Sequence, residues 1–125
     1  MFEGYEKRVF TRLSIDAAVK VTPPNSQPFE GQARNISVSG ICVEANVELP
    51  VGSEVKVSFL TDTFQEIEAR GTVVRVEECC LGIRFTAFDG PTFELFKVYL
   101  LSTADDPDAL ENEIVLNANE LPERL

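Results

Sequence analysis

The sequence predicts a mainly β protein: about six short antiparallel strands followed by a C-terminal helix. Three observations carry that prediction. Apolar and polar residues alternate with period two through the middle of the chain, turn-forming residues interrupt the alternation at short intervals, and no helical stretch separates the runs. Such a pattern leaves two architectures open, an antiparallel sandwich or a small barrel.

The first run, LSIDAAVKV, sets Leu13, Ile15, Ala17, Val19 and Val21 on one face before PPNSQP breaks it. FEGQARNIS follows, and SGICVEA alternates Ile41, Val43 and Ala45. After the turn signal LPVGSE, the run EVKVSFL aligns Val55, Val57 and Phe59. Beyond TDTFQ comes the longest run, EIEARGTVVRVEE. There Ile67, Ala69, Gly71 and Val73 share one face while Val74 and Val76 take the other, so a bulge or bend is expected between Val73 and Val74. CCLGIRFTAF closes the series with Leu81, Ile83 and Phe85 opposed to Arg84.

The spacing then changes. In DGPTFELFKVYLLS the residues Phe93, Phe96, Leu100 and Leu101 recur at helical intervals, Asp89 is placed to cap, and Pro91 suits a first turn. DDPDALENEI repeats the start signal, with Leu110, Ile114 and Leu121 on a common face. A second short helix or an acidic tail is expected there.

Composition narrows the function. The 125 residues suffice for one domain with its own core, and 44% hydrophobic content is ordinary for a globular chain. A net charge of −10 argues against gripping long nucleic acid through its phosphates, which needs a basic stripe. Seven of the carboxylates lie between Asp105 and Leu125, so the remainder is closer to balance and can still hold a local cationic site. Neither MFEGYEKR nor FELFKVYLL has the length and apolarity of a secretory or membrane-spanning segment, and a cytoplasmic location without membrane insertion is expected. The three cysteines, Cys42, Cys79 and Cys80, are odd in number and two are adjacent; packing explains them better than a disulfide framework. With no histidine and no C-x-x-C spacing, no metal site is expected. Serine or cysteine nucleophiles also lack a histidine base, and no phosphate-binding glycine loop occurs, so a binding module is expected rather than an enzyme.

Two short motifs give that module a ligand class. KRVFTR spaces Arg8 and Arg12 as R-x-x-x-R, and NISVSG sets Asn35, Ser37 and Gly40 as [D/N]-x-S-x-x-G. Alone they are weak, arising by chance in about one chain in three and about one in twenty on average residue usage. In this order, ahead of a strand-rich region, they carry more weight.

Over roughly residues 5–102 the sequence resembles the PilZ domain family, bacterial receptors for the second messenger cyclic di-GMP. LGIRF, residues 81–85, is similar to the family's last-strand G-[IV]-x-F signature. The resemblance implies a six-stranded antiparallel PilZ-type β-barrel with a helix after it. It divides the chain into an arm (1–12) carrying R-x-x-x-R, the barrel and helix (13–102), and an acidic tail or short helix (103–125).

It also implies a site, in which Arg8, Arg12, Asn35, Ser37 and Gly40 bind the ligand. Cyclic di-GMP is a flat dianion with two phosphodiesters and two guanines. Guanidinium forks can take phosphate oxygens, or guanine O6 and N7, in paired charge-assisted hydrogen bonds. Asn35 and Ser37, read as residues on one strand face, would meet a guanine edge, while Gly40 would admit close backbone approach. The expected role is an adaptor without cofactor that changes conformation on binding and signals to a separate protein in motility, biofilm or exopolysaccharide control. The competing expectation is a PilZ-like protein-interaction module that binds no nucleotide.

Overall fold

The computed structural model describes residues 10–125, so Arg8 lies outside the described residues. Six strands make the body: β1 (Leu13–Thr22), β2 (Phe29–Ile36), β3 (Gly40–Glu44), β4 (Glu54–Leu60), β5 (Glu66–Glu77) and β6 (Cys80–Phe88). They run in the order β3-β2-β1-β4-β5-β6, every pairing antiparallel, and β3 pairs with β6 to close the barrel. Closure is what decides between the two architectures that the alternation left open.

The apolar face of each strand fills the interior. Val19, Val21, Ala33, Val43, Val57, Ile67, Val73 and Ile83 are buried there, while their sequence neighbours face outward. Register shifts bend the sheet at several points, and one falls between Val73 and Arg75, at the predicted change of face. Val74 is the extra residue and stands 48% exposed.

Helix α1 (Gly90–Thr103) seals one end of the barrel. Asp89 caps it by accepting the Thr92 amide at 2.8 Å, which also holds the Asp89 carboxyl below its ordinary pKa. Phe93, Phe96 and Leu100 turn inward, where Phe96 stacks on Phe88 at 4.8 Å between centroids and meets Phe85 edge-on at 5.4 Å. Helix α2 (Pro107–Leu116) is capped by Asp106, whose side chain accepts the Ala109 amide, and buries Leu110 and Ile114 in the same core. A single 3-10 turn over Ala118–Glu120 leads to a two-residue strand, β7 (Glu123–Arg124), parallel to the end of β6. That strand was not foreseen, since two residues carry no period. Arg124 then lies over the Phe93 ring at 5.0 Å.

Among the described residues no helix is long and apolar enough to cross a membrane.

Candidate functional site

A cleft of about 390 Å³ opens on the outer flank of the barrel, where the N-terminal segment, the β2–β3 turn and the outer faces of β5 and β6 converge. Of the sequence-predicted residues, Arg12, Asn35, Ser37 and Gly40 all line it. Twenty-two residues separate Arg12 from Asn35 in the chain, so folding rather than adjacency unites the two motifs.

Each arrives by a local cause. Phe10 is buried at 5% exposure and anchors the segment, which delivers Arg12 two residues later to the cleft. Between them, Thr11 donates both its amide and its hydroxyl to the Glu113 carboxylate of α2. Asn35 sits near the end of β2, just past a register shift against β3.

Ser37 corrects the strand reading. The strand stops at Ile36, and Ser37 opens the turn, its amide donating to the Gly40 carbonyl at 2.8 Å. Its hydroxyl oxygen accepts the Ser39 amide at 3.1 Å and stands 3.1 Å from the Ser39 hydroxyl. Serine bonds locally in turns for the reason that takes it out of strands: its oxygen competes for nearby amides. At 7% exposure it is the one buried polar residue among those described, and it orders the cleft floor. Gly40 is required by close approach. A Cβ there would fall 2.6 Å from the Ile83 carbonyl oxygen, a contact no side chain can make, because β3 and β6 are pressed together at the barrel seam.

Sequence reasoning missed several lining residues: Ser39 and Cys42 beside the second motif, Arg75 on β5, Gly82 and Arg84 on β6, and Glu120 from the 3-10 turn. The outward positions of β5 and β6 read as ordinary solvated strand faces. The change of face at Val73–Val74 was the available signal, since it redirects Arg75. Among the described residues, three guanidiniums, Arg12, Arg75 and Arg84, thus border the cleft against one carboxylate, Glu120. Within a molecule of net charge −10 this is a local reversal of sign, and a concave wall concentrates its field.

Arg34, next to Asn35, is used differently. It binds Glu44 through Nη2 at 2.8 Å and Nε at 3.0 Å and Asp16 through Nη1 at 3.1 Å, tying β1, β2 and β3 on the outer surface. The Glu44 hydrogen bonds raise its pKa further above the ordinary guanidinium range. All three cysteines are free thiols; burial pushes the Cys80 thiol up, with Cys42 adding to the effect.

The described residues thus form a closed six-stranded barrel, sealed by one helix and flanked by a cationic cleft. The sequence model of the PilZ domain matches residues 6–102, and the chain belongs to that family. Solved structures with the same fold include the PilZ domain of CeSA from a cellulose-synthesizing bacterium, with a TM-score of 0.60 at 17% identity over 72% of this chain and 95% of that one. The inhibitor of motility MotI (DgrA) of Bacillus subtilis gives 0.62 at 14% identity, covering 92% of this chain and 53% of that one. The PilZ domain of Escherichia coli YcgR, solved with c-di-GMP, gives 0.63 at 12% identity over 93% of this chain and all of that one. A search of curated proteins finds no significant relative.

Proposed function

We propose that this protein is a cyclic di-GMP receptor that takes the dinucleotide in the cationic cleft and relays its presence to a partner protein. One observation carries the reading: a single cleft gathers every described residue of two motifs that lie far apart in the chain. Arg12, with Arg8 from the same segment, supplies guanidinium forks for phosphate oxygens or the guanine O6/N7 edge. Asn35 and the Ser37–Ser39 pair offer amide and hydroxyl groups to a base edge. Gly40 keeps the floor flat. No cofactor or metal has a part in this chemistry, and the module binds rather than catalyses.

Relay has a physical route. Arg12 reaches the ligand one residue after Thr11, which is held by Glu113 of α2. A pull on Arg12 is therefore felt at the acidic C-terminal helix, whose Val115 and Leu116 stand 67% and 72% exposed and offer a surface to a partner. The setting is the bacterial cytoplasm, and the processes are those of the family: motility, biofilm or exopolysaccharide control.

A second reading is a PilZ barrel that engages proteins and no nucleotide. What favours it is Phe64, 82% exposed at the β4–β5 tip with φ 61°, a costly placement for a bulky residue that makes sense as a contact with another molecule.

Calorimetric titration with cyclic di-GMP, beside GTP and a folded Arg12→Ala variant, separates the two. Saturable binding of the wild type, lost or weakened about 10- to 150-fold in the variant, supports the receptor. No heat with the folded wild type leaves the interaction module.

A further inference from the structure

The barrel seam carries a chemistry outside the ligand motifs. Cys42 on β3 and Cys80 on β6 are free thiols on the two strands whose pairing closes the barrel. Their register is fixed: Cys42 stands opposite Gly82 and Glu44 opposite Cys80, so the two cysteines are diagonal neighbours. Each also precedes a buried residue, Val43 after Cys42 and Leu81 after Cys80, which sets both thiols on the same outer face.

Diagonal neighbours in an antiparallel pair stand near the upper limit of disulfide reach. Two observations place this pair within it. Glu44 and Cys80 form the last rung of the β3–β6 ladder, and just beyond it the Ala45 amide donates to the Cys79 carbonyl at 2.8 Å, drawing the strand ends together. The sulfurs also sense one another, since after burial it is Cys42 that most raises the Cys80 pKa. An open cleft of about 610 Å³ gives both thiols access to small molecules, with Arg75 on its border. Cys79 is placed differently. It is exposed in the β5–β6 turn at φ 68°, outside the ladder that holds Cys80.

We propose that Cys42 and Cys80 are a reversible redox pair whose disulfide latches β3 to β6 across the barrel seam. The chemistry is independent of cyclic di-GMP, although Cys42 also lines the cationic cleft and the bridge forms in its wall. A hydroperoxide is the oxidant. The Cys42 thiolate attacks one peroxide oxygen, the O–O bond breaks, and the departing oxygen takes a proton to leave as water or an alcohol, giving a sulfenic acid on Cys42. Arg75 can donate to that departing oxygen. The Cys80 thiol, kept protonated by burial, then attacks the sulfenic sulfur. As the S–S bond forms, the Cys80 proton and the sulfenic hydroxide leave together as water. Two electrons pass from the two sulfurs to the peroxide. A dithiol reductant restores both thiols by exchange, so in a reducing compartment the bridge is transient.

The test treats reduced protein, at low concentration, with hydrogen peroxide, alkylates the remaining thiols and maps the disulfide by mass spectrometry. The wild type loses two of its three thiols, with Cys42 joined to Cys80 and Cys79 alkylated. Cys79→Ser forms the same bridge. The oxidised wild type unfolds about 5–15 °C above the reduced protein, because the bridge closes a long loop. Amide exchange in β3 slows with it, and dithiothreitol reverses both changes. Peroxide raises the unfolding temperature of neither Cys42→Ser nor Cys80→Ser. A wild-type bridge from Cys79, or oxidation to sulfinic acid with no S–S bond, overturns the pair. A mapped Cys42–Cys80 bridge that leaves unfolding and β3 exchange unchanged overturns the latch.

Discussion

A second cleft, formed by the β1–β2 loop, β4, β5 and the C-terminal strand, is larger than the first, about 1070 Å³ against about 390 Å³. Size does not decide which one suits a dianion. In the larger cleft Lys56 and Arg70 stand beside Glu54 and Glu123, and the charges cancel. In the smaller, three arginines meet one glutamate among the described residues. The hydrogen-bonding residues differ in the same sense. Around the first cleft an ordered turn fixes Ser37, Ser39 and Gly40 against β6, with the Phe85 amide donating to the Ser39 carbonyl at 2.8 Å. Preorganised donors with a net positive field make an anion site, whereas volume alone makes a dent in the surface.

Four changes would break or sharpen that contrast. Gly40→Ala has the largest expected effect, because its Cβ meets the Ile83 carbonyl at 2.6 Å. The barrel seam must part, at a cost of about 1–3 kcal/mol in urea unfolding, and the first cleft loses its ligand affinity with it. Glu113→Gln comes next. The Thr11 bonds weaken, lowering stability by about 1 kcal/mol or less, and amide exchange in α2 no longer responds to cyclic di-GMP while binding at Arg12 survives. Asn35→Asp keeps or tightens the affinity, since a carboxylate accepts from guanine N1–H and N2–H together where an amide offers one oxygen; calorimetry that finds binding abolished in the folded variant would contradict this. The smallest effect is that of Lys56→Ala combined with Arg70→Ala in the second cleft, where the affinity should stay within twofold.

How much of this could be read from the chain depends on the range of each interaction. The strands were legible because burial of one face writes itself into every second residue, as in β1 and β4. Helix α1 announced itself through Asp89, Pro91 and the Phe93–Phe96–Leu100 spacing. Barrel closure was legible only through the family resemblance, since the β3–β6 pairing joins Gly40 to Arg84 and leaves no periodic trace. The site divides in the same way. Arg12, Asn35, Ser37 and Gly40 stood in compact motifs, although the end of β2 at Ile36 puts Ser37 in a turn and not on a strand face. Arg75 and Arg84 could not be told from solvated strand residues without knowing which face of β5 and β6 borders the N-terminal segment. The Thr11–Glu113 contact spans 102 residues and rests on a threonine and a glutamate that nothing local distinguishes. Short-range physics was visible in the residues themselves; of the convergence of distant segments, only the meeting of the two motifs was foreseen, and that through the resemblance.

The most direct test of the central claim is an amide chemical-shift titration of the protein with cyclic di-GMP. The account predicts saturating shifts concentrated at residues 35–42, at Arg75 and at residues 82–84, with a second group in α2 around Glu113. Shifts centred on Lys56, Arg70 and Glu123, or a spectrum that does not change at millimolar ligand, would contradict it.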